Sequence, residues 1–356
     1  MSRNYTVCLK MRGLNVIIFY YQIERRNTVK KSLIILFLII FVLSLAGCSS
    51  SESDMQEPEF GIAATVFPAY DFARQIAGDR LPVSLVVPAG SDIHSFEPTA
   101  KDIIKMENWL VVCNGGESES WVEQIFESSD TKLQPIYMMD CVDVVEEELK
   151  EGMVEVPHSH DGEECTEDHE HEEEEEHEHE PEFDEHVWTS PVNAVKICTE
   201  ICRRLCEIDP EGAEYYKANL ADYSAKLMEL DGQFRHVVEN ASSNTLVFAD
   251  RFPVRYFVEE YDLDYYAAYP GCISQSEPSV RTVVFLIDRV REYKTPAVMY
   301  IEFSNEKMAD IICEDTGCKK LLFHSCHNVS AKEFEEGITY MELMRSNLES
   351  LKEALG

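Results

Sequence analysis

Three histidines far apart in the chain fall at positions from which their imidazoles could meet. His94 lies in "VVPAGSDIHSFEPTAKD", His186 in "FDEHVWTSPVNA" and His324 in "KKLLFHSCH". Neutral imidazole is the commonest side-chain ligand for zinc, and three such nitrogens leave one place in a tetrahedral shell for a further donor or for water. A shell left open to water is also how a catalytic zinc centre is built. Glu277 and Glu302, near the second-lobe loops, could then serve as bases, but no HExxH and no evident nucleophile–base pair accompanies the histidines. Binding is therefore the leading reading and a zinc-dependent hydrolase the lesser one. His327 is a second candidate beside His324, whereas His236 belongs to a long helical pattern.

The remaining six histidines are packed together. "HSHDGEECTEDHEHEEEEEHEHEPEFDEHVW", residues 158 to 188, carries His158, His160, His169, His171, His177 and His179 among carboxylates before it reaches His186. Imidazole and carboxylate together suit a divalent cation. With so little apolar surface to bury, the stretch from about 146 to 185 reads as a disordered insert. Its metal reading is a low-affinity collector that raises the local ion concentration beside a tighter site. The alternative is a solvated acidic run with no metal role.

The formal net charge of the 356-residue chain is −36, and 16 of the acidic residues lie between Asp161 and Glu185. Nucleic acid and anionic membrane surfaces both want a basic face, so the balance excludes them as partners and favours cations. Near the start, "KKSLIILFLIIFVLSLAGC" puts two lysines before an apolar run from Leu33 to Ala46 and closes on small residues and Cys48. The run is short and no stop-transfer charges follow, which is the pattern of a signal peptide. "LAGC" resembles a bacterial lipobox, which would make Cys48 the lipidated first residue; the alternative is a membrane anchor with an incidental Cys. Residues 1–28 fit no targeting logic and suggest that translation starts at or near Val29. Residues 29–47 are then the signal peptide, and 48–59 a flexible tether.

From Phe60 onward strand-like and helix-like segments alternate: "GIAATVF", "AYDFARQIAG", "VSLVVP", "TAKDIIKMEN", "WLVVC", "SWVEQIFES" and "QPIYMM". After the insert, "SPVNAVKICTEICRRLCEI" reads as a helix. A helix of about thirty residues follows, with Asp209 as cap, Pro210 in its first position and an apolar face from Tyr216 to Val237. The alternation resumes from "TLVFA" to "TYMELMRSNLESLKEAL", with "RFPVRYFVEEY" as its first helix. This predicts an α/β fold of two parallel-sheet lobes, 60–208 and 242–356, joined by one long helix at 209–241. Ligands of such sheets bind outside the carboxyl ends of strands, and all three histidines occupy such loops, so a site in the cleft between lobes is expected. Twelve cysteines scattered through a chain with ample core do not read as a disulfide scaffold. Cys198, Cys202 and Cys206 share a helical face, as core residues or as a thiolate metal site. Cys272, Cys313, Cys318 and Cys326 are close enough in sequence for one pairing.

"PAYDFARQIAG", "PAGSDIHSFEPTAKDI", "DEHVWTSPVNA" and "SEPSVRTVVFLIDRV" resemble segments of the solute-binding lipoproteins of bacterial zinc and manganese ABC importers, over about 61–355. The resemblance implies two lobes on a rigid backbone helix, an acidic histidine-rich loop, an importer permease as partner, and a monomer lipid-anchored to the outer face of the cytoplasmic membrane. It implies His94 and His186 as first and second ligands. The third ligand, a His or Glu in the family, falls on Arg251, which cannot ligate a cation; its neighbour Asp250 is the candidate substitute. The fourth, usually an Asp, falls on His324. A set of His94, His186, His324 and Asp250 suits zinc, with manganese as the alternative cargo. A surface adhesin or metal buffer with no transport partner is the remaining non-enzymatic reading.

Overall fold

Short runs rich in aliphatic or, in one strand, aromatic residues form most of the strands of two parallel sheets. The computed structural model describes residues 5–11, 14–20, 60–91, 96–129, 131, 133–153, 182–271 and 279–356. His94, Cys48, the signal and tether segments, Cys272, Glu277 and the six histidines of the insert lie outside the described residues. Strands β1 (Tyr5–Met11) and β2 (Leu14–Tyr20) pair antiparallel, Tyr5 opposite Tyr20, within a unit spanning Met1–Glu57. All other elements belong to a second unit, Pro58–Gly356.

In that unit β3 (Ile62–Ala64), β4 (Val83–Leu85), β5 (Leu110–Cys113) and β6 (Ile136–Tyr137) form one sheet in the order β4-β3-β5-β6. Strands β7 (Thr245–Phe252), β8 (Asp264–Pro270), β9 (Ala297–Tyr300) and β10 (Lys319–Leu322) form the other, in the order β10-β9-β7-β8. Every pairing within both sheets is parallel. Each sheet thus has its first strand between its second and third, and the reversal of winding direction falls beside β3 in one and β7 in the other. Crevices at such points are where α/β sheets bind ligands.

Ten helices surround the sheets among the described residues: α1 (Phe67–Ala77), α2 (Ala100–Asn108), α3 (Ser120–Ser128), α4 (Pro191–Ile208), α5 (Ala213–Glu239), α6 (Arg255–Glu260), α7 (Val280–Tyr293), α8 (Lys307–Thr316), α9 (Ala331–Glu335) and α10 (Tyr340–Leu355). Local chemistry sets their starts. Thr99 with Asp102 and Thr339 with Glu342 make reciprocal capping boxes, and Ser190 caps α4 just ahead of Pro191. The long helix departs from expectation at its first turn. Asp209 makes no cap; its carboxylate is held by Arg80 Nη2 at 2.9 Å and Tyr216 Oη at 2.7 Å, and Pro210–Gly212 forms a 3-10 turn before α5. A guanidinium is the stronger competitor for a carboxylate than a backbone N–H.

α5 rises about 40 Å at 1.5 Å per residue and buries Tyr216, Tyr223, Leu227, Leu230 and Phe234. These side chains join one apolar core that contains Ile62 and Leu110 of the first sheet together with Leu246, Phe248 and Met299 of the second. The sheets therefore share a core across the helix. α10 adds to this: the Tyr340 N–H donates to Asp71 Oδ2 at 2.9 Å, tying the last helix to α1. On α4, Cys198 and Cys202 are buried in the core and Cys206 packs against it. Burial and neighbouring Cys206 push the Cys202 thiol up to about 11, which suits a small apolar residue better than a thiolate.

Candidate metal centre

His186 stands at the end of the chain's return to the first lobe, immediately before a 3-10 turn, Val187–Thr189, that leads into α4. One oxygen of Asp184 accepts the His186 backbone N–H at 2.8 Å and lies 3.1 Å from its Nδ1. A carboxylate can only accept, so Nδ1 carries the proton and Nε2 keeps its lone pair. His186 is 4% exposed and Asp184 2%. Burial pulls the His186 pKa down, and the adjacent Asp184 carboxylate more than offsets this, leaving it raised. Asp184 is itself fixed through its carbonyl, which accepts the Tyr256 hydroxyl at 2.7 Å.

The His186 side chain lines a cleft of about 500 Å³ with walls from both lobes. Thr65 and Asn114, just past β3 and β5, face Arg251 at the end of β7 and Glu302 just past β9. These are the carboxyl ends of the central strands, where the strand order predicts a ligand. Gly271, following β8, closes in behind the histidine: a Cβ there would come within 3.1 Å of His186 Cε1 and 3.0 Å of the Phe252 carbonyl oxygen. A side chain there would need the imidazole or the Phe252 carbonyl to give by a few tenths of an ångström.

The second histidine on the cleft wall is His327. Its ring centroid lies 5.6 Å from that of His186 with the planes near perpendicular, and both rings pack on Trp188, at 5.2 and 5.5 Å. Trp188 donates its indole N–H to the Ser325 carbonyl at 2.8 Å and accepts the Tyr340 hydroxyl on its own carbonyl at 2.7 Å. Asn328 fastens the loops across the cleft, donating to the Ser91 carbonyl at 2.6 Å and accepting the Gly90 N–H at 3.2 Å. Ser91 precedes His94 by three residues in the sequence.

His324 sits behind this wall rather than on it. It is 4% exposed, and Asn347 brackets its backbone with two hydrogen bonds of 2.7 Å. Its Nδ1 accepts the Cys326 N–H at 2.9 Å and lies 3.5 Å from Glu302 Oε2, so that nitrogen is engaged within the second lobe. Cys326, at φ 62°, reverses the chain between the two histidines, and His327 takes the cleft position expected of His324. Asp250 is likewise engaged: Oδ1 accepts the Arg251 N–H at 2.8 Å and Oδ2 the Ile301 N–H at 3.3 Å. Arg251 lines the cleft, because β7 continues through Phe252 rather than giving way to a helix at 251. Glu302 also lines it, with Oε2 accepting the Ser325 N–H at 2.8 Å. Among the described residues no group of three or more His, Cys, Asp and Glu stands close enough to hold a metal. Sequence reasoning had no role for Asp184, Trp188 or Asn328. The Asp two residues before His186 was the available signal for the first of these.

Asp184→Asn keeps the shape but replaces the acceptor that sets the His186 tautomer, and loss of such an outer partner typically costs 10–100-fold in metal affinity. Zinc titration of the variant should show a loss in that range, and unchanged affinity would remove Asp184 from the site. Beneath the cleft, Glu119 is 2% exposed and its Oε2 accepts the N–H groups of Asn114 and Gly115 at 2.6 and 3.0 Å. Burial raises its pKa to about 7, with the Thr65 hydroxyl and those N–H groups pulling it back part of the way. Between the unfolded value near 4.5 and about 7 the folded protein holds a proton that the unfolded chain releases, so stability falls as pH rises through that window, by up to about 3 kcal/mol. Glu119→Gln should lose this slope, which urea unfolding of both proteins between pH 5 and 8 will read; parallel slopes would contradict it.

The family description "Zinc-uptake complex component A periplasmic" matches residues 62–354. The chain is 30% identical over 318 residues to the "High-affinity zinc uptake system protein ZnuA" of Bacillus subtilis, covering 88% of this chain and 94% of that one. It is 28% identical over 324 residues to the "Zinc-binding lipoprotein AdcA" of Streptococcus pneumoniae, covering 91% of this chain but 61% of the longer relative. The crystal structure of the metal-dependent lipoprotein YcdH from Bacillus subtilis superposes with a TM-score of 0.66 at 26% identity, over 83% of this chain and 99% of that one. With the family match, the two-sheet fold and a histidine-lined crevice at the strand-order reversals, the chain belongs to the zinc-uptake complex component A family, extracytoplasmic solute-binding receptors for zinc uptake rather than enzymes.

Proposed function

We propose that the chain is a lipid-anchored receptor that captures Zn(II) outside the cytoplasmic membrane and delivers it to the permease of an ABC importer. The observation that carries the reading is the buried His186, its Nδ1 on Asp184 and its ring facing His327 in the cleft. In this reading zinc is held by His186 and His327 with His94 from the adjoining loop, and water or a cleft carboxylate completes the shell. His324 and Asp250 serve as supports, with His324 Nδ1 and both Asp250 carboxylate oxygens accepting backbone N–H groups. Ligating nitrogens must be deprotonated, so affinity falls in acid.

Residues 29–47 direct export, Cys48 takes the lipid, and 48–59 tether lobes 60–208 and 242–356 around the helix at 209–241. The shared core and the Asn328 ties favour metal release by movement of the ligand loops over wide hinge closure. The six insert histidines collect zinc at low affinity and hand it inward, a gain in effective concentration rather than in geometry.

The test is zinc accumulation in zinc-starved cells lacking the chain. The full chain should restore uptake and the His186→Ala variant should not. A chain without residues 158–180 should restore it at ample zinc but fall short under severe limitation. Equal uptake by the shortened chain at every zinc level would end the collector role, and full uptake by His186→Ala would end the receptor reading.

A further inference from the structure

The two sulfur atoms of Cys313 and Cys318 lie 3.5 Å apart, with both thiols free and both side chains half-buried. The backbone between them is already fixed in a tight reversal. Gly317, at φ 78°, donates its N–H to the Cys313 carbonyl at 2.9 Å, ending α8, and the Cys318 N–H donates to Thr316 Oγ1 at 3.3 Å. Thr316 in turn donates to the Ile312 carbonyl at 2.7 Å. A disulfide needs its sulfurs at about 2.05 Å, so closure asks for a movement of roughly 1.5 Å from side chains that retain solvent access, with no change of register in α8 or β10.

Three chemistries are open to a vicinal thiol pair. A metal thiolate centre needs further donors, and among the described residues no group of three or more potential ligands forms. A standing nucleophile needs a thiolate at rest, whereas burial and the neighbouring Cys318 push the Cys313 thiol up to about 12; slow oxidation during export draws only on a transient thiolate. The third is a structural bridge, which the oxidising surroundings of an extracytoplasmic protein permit. Among the described cysteines, Cys113, Cys198 and Cys326 are buried, and Cys202 and Cys206 lie one turn apart on a single helix, α4.

We infer that Cys313 and Cys318 form a disulfide after export, stapling the end of α8 to the start of β10. The oxidant is a second disulfide, carried by a thiol–disulfide oxidoreductase or a small-molecule disulfide. One cysteine thiolate attacks it, giving a mixed disulfide and releasing the first oxidant thiol; the other cysteine then displaces the second. Two protein thiols become one disulfide, and the oxidant's disulfide becomes two thiols that take up both protons. The bridge closes a six-residue ring at the foot of edge strand β10, whose far end runs into Phe323 and on to the His327 loop. It therefore resists fraying of the strand that carries the second-lobe wall of the cleft.

The test uses the full chain recovered from the cell envelope, denatured in iodoacetamide without reductant, and digested with trypsin. The peptide Met308–Lys319 contains these two cysteines and no others. The expected mass is that of the unlabelled peptide less two hydrogens, rising by two labels only after reduction. Two labels without reduction, labelling released by a chelator alone, or linkage of either residue to another cysteine would each overturn the inference. Melting with and without reductant gives a second readout: the wild type should lose several degrees on reduction and the Cys313→Ser, Cys318→Ser double variant none. An equal loss in both proteins would assign the effect to a different bridge.

Discussion

Replacing His186 by Ala is expected to weaken zinc binding by on the order of 10²- to 10³-fold while leaving the fold intact. Four-ligand zinc sites bind with roughly 10–16 kcal/mol, so one ligand of four carries about 2.5–4 kcal/mol, and each 1.4 kcal/mol is tenfold. The loss should sit at the upper end of that range because the imidazole is preset: Asp184 fixes its tautomer, Trp188 packs on its ring, and the Gly271 backbone lies close behind it. A site built on mobile side chains would recruit a substitute; this one has little room to do so. Competition against a chromophoric chelator measures the change. A loss below threefold would mean that zinc binds elsewhere.

The second large effect falls on stability. Trp188 is 1% exposed, donates to Ser325 in the second lobe, accepts from Tyr340 of α10 and supports both cleft histidines. Truncating a buried tryptophan leaves a cavity that typically costs about 3–5 kcal/mol. Trp188→Ala should lose that amount by denaturant unfolding and should also bind zinc more weakly, since His186 and His327 lose their common wall. Trp188→Phe keeps most of the volume without the indole N–H; it should recover most of the stability and leave the Ser325 carbonyl without its donor. A Trp188→Ala protein as stable as the wild type would show that the two lobes do not depend on this contact.

Much of this architecture was legible because periodicity and cap chemistry agree. The spacing predicts a helix over "SWVEQIFES", and Ser120–Ser128 is that helix. His186 was legible for a similar reason: it lies in a short motif at the foot of a helix that starts at a Ser-Pro cap. The failures came where tertiary partners override local pattern. Asp209 looks like a helix cap until Arg80, far away in sequence, claims its carboxylate. Arg251 looks like the first residue of a helix, but β7 extends across the register shift between Phe248 and Arg251, and Pro253 delays the helix to Arg255. Helix α9, at five residues, is too short to leave a periodic signature.

The exchange of His327 for His324 has the least sequence signal of all. It follows from Cys326 adopting a left-handed backbone, which in a glycine would have advertised itself and in a cysteine does not. Residue type alone gives two histidines three apart in one loop, and only the backbone decides which of them faces the cleft.

That choice is also the sharpest point of attack. Metal-stripped chain lacking residues 158–180 should be titrated with zinc beside versions carrying His94→Ala, His186→Ala, His327→Ala, His324→Ala and Asp250→Ala. One tight site is expected in the parent, lost with His94, His186 or His327, and largely kept with His324 or Asp250. A tight site that survives loss of both His186 and His327, or a shortened parent that binds no zinc tightly, would contradict it.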